Sequence, residues 1–462
     1  MVILTFVHTY PHLLATCIRN QMHIEQMLWS DTPFGLIWAS WGGTRVEAWV
    51  PDVKGSGCAA TPPEGGDQAE SVLYNGLIHP LTRYSIRGAF WFQGEHNVVT
   101  HSSQSEYACA FGSMINQWRD AWTGIGDFPF HYVQLAPYTG YAKFAGHGDI
   151  STIRLAQADS QSKIGLDTSG MAVAIDLGDP LAPAGDVHSR HKNEVARRLA
   201  LQAMHVMYAF QWGENVSNPV YPQKTPAPFP LHFSGPQLTG AAMATSMEAV
   251  LTFAKETATG LFLNDTMGCA IHRGIGFAGQ PIGGECCKAK DTFQLCTGDA
   301  AANTSTLVCV NATSVKLDGT AGTVKLEWAA TPNAAAPTSV RYAYSNYPQC
   351  ALYNSDKLPA GPFVVALAPS AATNESTTTT TTTTTQHLRI ANAPPANTPL
   401  ANTPPALTPP MGLNSWNAFH CNVDERKMRA MADALVSTGL QKAGFNYGES
   451  CGLCWREGFG VN

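Results

Sequence analysis

The chain predicts an α/β fold, a doubly wound parallel sheet in three layers, followed by an antiparallel β module. Three observations carry this. Short, almost continuously apolar runs alternate with helically spaced segments from residue 33 to about 210. Beyond about 213 the chain breaks into short β-rich runs separated by turn residues, and near the end a Thr- and Pro-rich stretch isolates a last piece.

The apolar runs are "FGLIWAS" (34–40), "GAFWF" (88–92), "PFHYVQLA" (129–136) and "GMAVAIDL" (170–177). Each is too short for a helix and too evenly apolar for a half-exposed strand, which suits inner strands of a parallel sheet covered on both faces. Helical spacing falls near 68–82, 105–122, 152–164 and 191–210. In the last of these Val195, Leu199, Gln202/Ala203 and Val206 share a face, and Arg197 and Arg198 point away. The runs "TSTLVCVNATSVKL", "GTVKLEWAA" and "TSVRYAYSNYP" read as strands of the antiparallel module. The expected division is 1–32 unassigned, 33–212 for the α/β domain, 213–370 for the β module, 371–410 for an extended linker and 411–462 for a short last piece. About 50 residues make a poor independent core.

In open parallel sheets ligands bind outside the carboxyl ends of the strands. The polar stretches after the four runs are therefore the candidate site: "WGGTRVEAW", "QGEHN", "APYTG" and "GDPLAPAGDVHSRH".

Composition narrows the function classes. The 462 residues are 44% hydrophobic and carry a formal charge of −6 with no Lys/Arg block, so no nucleic-acid footprint is expected. No segment approaches the roughly 20 apolar residues of a spanning helix. Of the twelve cysteines only Cys451 and Cys454 form a C-x-x-C, without a second pair at zinc-ribbon spacing, so no metal is expected. N-x-[ST] acceptors at Asn215, Asn264, Asn303, Asn311 and Asn374, beside scattered cysteines, favour a secreted or lysosomal protein. The start, "MVILTFVHTYPHLLATC", has His8, Pro11 and His12 and no basic segment, which makes a poor signal peptide and reads as a truncated beginning.

The blocks "GLIWASWGGTRVEAW", "LYNGLIHPLTRYSIRGAFWFQGEHN", "FGSMINQWRDAW…DFPFHYVQLAPY" and "GMAVAIDLGDPLAPAGDVHSRHKNEVARRLALQA" resemble the sialate O-acetylesterase family, carbohydrate acetylesterases of SGNH-hydrolase type. The β module fits through "VRYAYSNYPQCALYNSDKLPAGPF", so the resemblance spans about 33–367. It implies hydrolysis of O-acetyl esters on sugars by a serine–histidine acyl-enzyme route, with an O-acetylated sugar or glycan as partner and no organic cofactor. A xylan or other polysaccharide acetylesterase would use the same chemistry, and a non-catalytic glycan-binding protein would keep the same cleft. A second stretch, "LTPPMGLNSWNAFHCNVDERKMRAMADALVSTGLQKAGFNY", resembles the opening of an α-galactosidase barrel of the melibiase family. The chain then reads "GESCGLCW", and a barrel needs about 250 residues, so no galactosidase activity is expected of this piece.

Ester hydrolysis needs a nucleophile, a base, a group that orients the base, and donors for the oxyanion. His188 in "GDVHSRH" matches the family's catalytic histidine, and a neutral imidazole suits removal of a hydroxyl proton. Asp186, two residues earlier, can orient that ring or cap the loop; Glu95 is the rival orienter. Gly43 in "WGGT" lets a backbone N–H approach the ester closely. Gln93 and Asn97 are the side-chain candidates for the oxyanion, with Gln93 favoured as nearer the strand end; Arg45 and Glu47 line the same mouth or form a solvated pair. The nucleophile is unknown. The family's "GQSN"-like block is expected upstream of the Gly block, and nothing in 1–32 reads so. Ser30 lacks small neighbours, and Ser40 has Trp38 where a G-x-S-x-G elbow needs glycine. The expectation is a poor esterase whose sheet also lacks its first strand.

Overall fold

In a computed structural model the described residues are 2–7, 35–58, 65–100, 102–138, 150–179, 182, 185–208, 232–265, 292–298, 307–329, 335–348, 350–369, 411–414, 425–438 and 445–449. The Thr/Pro-rich segment 371–410, the pair Cys451/Cys454 and the acceptors Asn215, Asn303 and Asn374 lie outside them.

Strands β1 (Val2–Val7), β2 (Gly35–Trp38), β3 (Gly88–Phe92), β4 (Phe130–Gln134) and β5 (Ser169–Val173) form one sheet in the order β2-β1-β3-β4-β5. Every neighbouring pair is parallel. The expectation that the first strand is missing is corrected here. Val2–Val7 is an inner strand between β2 and β3, with Thr5 opposite Trp38 on one side and Phe90 on the other. Its run "VILTFV" is rich in β-branched and apolar residues, which suits an inner strand of a parallel sheet.

Helices α1 (Glu95–Val99), α2 (Gln104–Ala121), α3 (Ile150–Ile164) and α4 (Lys192–Tyr208) complete the domain. Side-chain alternation along the strands shows two covered faces. Trp91, Phe130 and Tyr132 meet Phe111 of α2, and Trp118 of α2 sits edge-on to Trp91. On the opposite face a Cβ at Gly170 would lie 2.7 Å from His131 Nδ1 and 2.8 Å from Gln202 Cβ of α4. Glycine at 170 is what lets α4 approach the sheet. Helix α2 starts at a capping box: Glu106 N–H donates to Ser103 Oγ at 3.2 Å, and Ser103 N–H donates to Glu106 Oε2 at 2.7 Å.

The helix expected at 68–82 is instead a series of tight turns: 3-10 turns at Gly66–Gln68 and His79–Leu81 flank a wide π turn at Tyr74–Ile78. Pro80 lacks the N–H that a regular helix would need there, and Gly76 favours no helix, so the apolar spacing is real but the α ladder is not.

The β module has strands β6 (Leu238–Thr245), β7 (Glu248–Phe253), β8 (Phe262–Asp265), β9 (Phe293–Thr297), β10 (Val308–Asn311), β11 (Ser314–Asp318), β12 (Thr323–Glu327), β13 (Ser339–Tyr342), β14 (Cys350–Tyr353) and β15 (Phe363–Ala366). They form antiparallel sheets β10-β9-β13-β15 and β11-β12-β7-β6 and a pair β14-β8. Phe253 of β7 meets Phe363 of β15, so the two larger sheets pack face to face around a core that includes Leu251, Phe293 and Tyr342. In the last piece β16 (Met411–Asn414) and β17 (Phe445–Glu449) pair in parallel, with α5 (Glu425–Ser437) between them in sequence: one βαβ unit.

Candidate active site

The strand order places a topological switch point between β1 and β3, because the chain steps from β1 to β2 on one side and then crosses to β3 on the other. Gln93 to Asn97 therefore leave the sheet at the position where such folds bind ligands. Gly94, with φ 142°, makes the sharp turn from β3 into α1, a conformation that side chains with a Cβ rarely adopt. The residues that follow β1, 8–34, lie outside the described residues, and Ser30 with them.

Beside this turn the loop after β2 is held by three side-chain amides. Gln68 Nε2 donates to Gly43 O at 2.7 Å and Gln68 Oε1 accepts from Arg45 N–H at 3.0 Å. Gln93 Nε2 donates to Thr44 O at 2.9 Å, and Asn97 Oδ1 accepts from Val46 N–H at 2.9 Å. Four consecutive backbone groups are thus fixed by side chains from outside the loop. Gly43 has φ 68°, and a Cβ built on it meets no atom of the described residues within 4 Å. Glycine is needed there for its backbone conformation.

These bonds change the reading of Gln93 and Asn97. Gln93 has two amide hydrogens, and Thr44 O and Asn97 Oδ1 (2.8 Å) take both, while its Oε1 accepts from the Tyr107 hydroxyl at 3.1 Å. Asn97 is fully buried and donates to Glu47 Oε2 at 3.0 Å and to Ser102 Oγ at 3.1 Å. In this arrangement neither amide presents a spare N–H to an oxyanion; both hold the loop that carries Gly43. Arg45 and Glu47, expected at an open mouth, are buried, and Glu47 is part of the Asn97 network.

His188 lies on the far side of the sheet's carboxyl edge, at the end of a 3-10 turn, Asp186–His188, that precedes α4. The loop bearing it is closed by Asp179: Arg190 donates to Asp179 from Nε at 2.6 Å, from its second guanidinium nitrogen at 3.0 Å and from its backbone N–H at 3.0 Å. Burial opposes ionisation of Asp179, and the Arg190 bonds outweigh it, holding the carboxyl below its ordinary range. Asp186 faces the loop after β4: burial raises the Tyr138 phenol, and the Asp186 charge raises it further. Glu95 is buried and acts on the first residue of α4, Lys192.

Lys192, four residues after His188, was not a candidate from sequence. It is buried, its ammonium lies 4.8 Å from the centre of the Phe92 ring, and burial pushes it down to about 8 against the pull of Glu95 and Asp179. Its place as the first residue of an amphipathic helix gave no warning, because a lysine there ordinarily points to solvent. Gln68 and Asp179 were also missed, though the short spacing from Asp179 to Arg190 was a readable signal. Among the described residues no group of three or more His, Cys, Asp or Glu is placed to hold a metal ion.

Comparison with known proteins agrees with this architecture. Residues 21–203 match the family model "Carbohydrate esterase, sialic acid-specific acetylesterase". A Homo sapiens sialate O-acetylesterase is 32% identical over 216 residues, which cover 43% of this chain and 40% of that protein. The chain thus spans about two fifths of the length of that relative. The crystal structure of a carbohydrate acetylesterase from Xanthomonas citri aligns with TM-score 0.53 and 27% identity, covering 76% of this chain and 65% of that one. The last piece is similar to an α-galactosidase A from Cellvibrio japonicus, 62% identical over 37 residues, 8% of this chain and 9% of that protein. With the parallel sheet, the Gly43 turn and the His188 loop in place, residues 21–203 of this chain are similar to the sialic acid-specific acetylesterases among carbohydrate esterases.

Proposed function

We propose that the protein is a carbohydrate esterase that removes O-acetyl groups from sugars, with sialic acids as the first substrate class to test. The observation that carries this is that an amide-clamped glycine turn and a histidine loop closed by its own ion pair both follow strands on the carboxyl side of one parallel sheet. In the proposed reaction a hydroxyl of the enzyme attacks the acetyl carbonyl while His188 takes its proton. His188 then returns that proton to the departing sugar oxygen, and water, deprotonated by His188 in turn, releases acetate from the acyl-enzyme. The backbone of the Gly43 turn faces the developing oxyanion, and Asp186 or Glu95 steadies the imidazole. The nucleophile is unassigned; Ser30 is the only serine in 8–34. The disulfides Cys58–Cys109 and Cys296–Cys309, and the exposed acceptors Asn264 and Asn311, support a secreted or lysosomal location.

The test is acetate release from an O-acetylated sialic acid, beside acetylated xylan, by the full chain and by His188→Ala. Loss of a general base should lower the rate by about 100-fold or more. Equal rates in the two proteins would remove His188 from the mechanism. A second reading, binding of acetylated sugars without turnover, is favoured by the engagement of both Gln93 N–H groups in the loop. It predicts measurable affinity for the acetylated sugar with no acetate released.

A further inference from the structure

We infer that the sugar-facing wall of the cleft is built jointly by Tyr138 and by Tyr347 of the β module, and that it takes the pyranose ring of an O-acylated sugar. The ligand class rests on the esterase reading; the wall itself rests on contacts between the two modules.

The loop after β13 is anchored to the α/β domain at three points. Arg154 of α3, fully buried, donates from Nε to Leu135 O at 2.8 Å and from a terminal nitrogen to Ser345 O at 2.8 Å. Asn346 Oδ1 accepts from Ile150 N–H at 3.0 Å, and Asn346 O accepts from Tyr138 N–H at 3.4 Å. The next residue, Tyr347, is thereby delivered to the carboxyl edge of the sheet. A Cβ at Gly178 would lie 2.6 Å from Tyr347 Cζ and 2.9 Å from Pro137 Cβ, so the phenol ring occupies the space that glycine leaves between the ends of β4 and β5.

That position adjoins both halves of the His188 loop. Gly178 precedes Asp179, which holds Arg190, and Pro137 precedes Tyr138, whose phenol feels the charge of Asp186. Both tyrosines keep part of their surface exposed. Two partly exposed aromatic residues, one of them feeling the Asp186 carboxylate, suit a ligand with an apolar C–H face and a ring of hydroxyls, which describes a pyranose. Neither module could make this wall alone.

The experiment is calorimetric titration of the full chain, in a His188→Ala background that prevents turnover, with an O-acetylated sialic acid. Tyr347→Ala should weaken binding about tenfold and Tyr347→Phe by no more than about twofold, since the ring face does the work. Gly178→Ala, which displaces the ring without removing it, should show a loss like that of Tyr347→Ala and guards against a variant that fails to fold. Unchanged affinity in both Ala variants overturns the wall. So does absence of sugar binding by the parent when the unaltered protein still releases acetate from p-nitrophenyl acetate; that result leaves the esterase reading standing. Binding that is lost in Tyr347→Ala, with no acetate released by the unaltered protein, upholds the wall and removes the esterase reading.

Discussion

Lys192 and His131 are two ionisable side chains in places that disfavour charge. His131 is fully buried on the α4 face of the sheet, 5.3 Å from the Phe90 ring, and neither ring nitrogen has a hydrogen-bond partner among the described residues. Burial first, then the His205 and Arg119 charges, push it down to about 3, so it packs as a neutral ring. Lys192 is the more consequential, because carboxylates on two neighbouring elements face it. Its folded value of about 8 lies below the ordinary 10.5. Below pH 8 both folded and unfolded chains hold the proton and folding bears the cost of the buried charge. Between 8 and 10.5 only the unfolded chain holds it, so stability from this group rises with pH. The melting temperature of the unaltered protein should therefore rise relative to that of Lys192→Met between pH 8 and 10. A difference that stays constant across that range would show that the ammonium is not held in a buried state.

At the scale of elements, the loop after β2 shows how a glycine turn is made rigid without secondary structure of its own. Asn97 alone satisfies four polar groups, Val46 N–H, the Gln93 amide, Glu47 and Ser102, all in a buried setting. Leaving a buried polar group unmatched costs about 1–3 kcal/mol, so Asn97→Leu should lose about 3 kcal/mol or more in urea denaturation. Gln68→Ala removes two bonds at a partly exposed site and should lose only about 1 kcal/mol. Equal losses would mean that the turn does not depend on Asn97. Much of this level was legible from the chain. "GAFWF" emerged as β3 with no shift of its ends, because an inner parallel strand needs nothing but a short apolar run. The turns at 66–81 were not, because apolar spacing records which residues face the core and is blind to a proline in the ladder. Nor was β1: five apolar residues and a threonine at the chain's beginning have the look of a weak leader until two strands are seen to pair with them.

For the whole molecule, one link between the α/β domain and the β module is a buried ionic lock. Arg198 of α4 meets Asp176 in a two-pronged pair at 2.6 and 2.7 Å, both side chains almost wholly buried, and the Tyr353 hydroxyl of β14 donates to the same carboxylate at 3.0 Å. Arg198 also donates to Val173 O at 2.6 Å and to Glu194 at 2.9 Å. Removing one partner of a buried pair strands the other, at a cost of about 3–5 kcal/mol. Asp176→Ala should accordingly lower stability by about 3 kcal/mol, the remaining Glu194 contact softening the loss, and split one calorimetric unfolding transition into two. A single transition at an unchanged midpoint would show that the modules are held together by other contacts.

The sequence by itself determined that the runs at 34–40, 88–92, 129–136 and 170–177 hold strands, which polar stretches follow them, and that histidine, carboxylates, amides and glycine gather there. These follow from periodicity and composition, which are local properties of the chain. Tertiary structure decided the strand order, the switch point beside Gln93, the burial of Lys192 and the arrival of Tyr347 from a module more than a hundred residues away. It also decided what Gln93 and Asn97 do. An amide has a fixed number of donors and acceptors, and whether any remains for a ligand is known only when every partner has been placed.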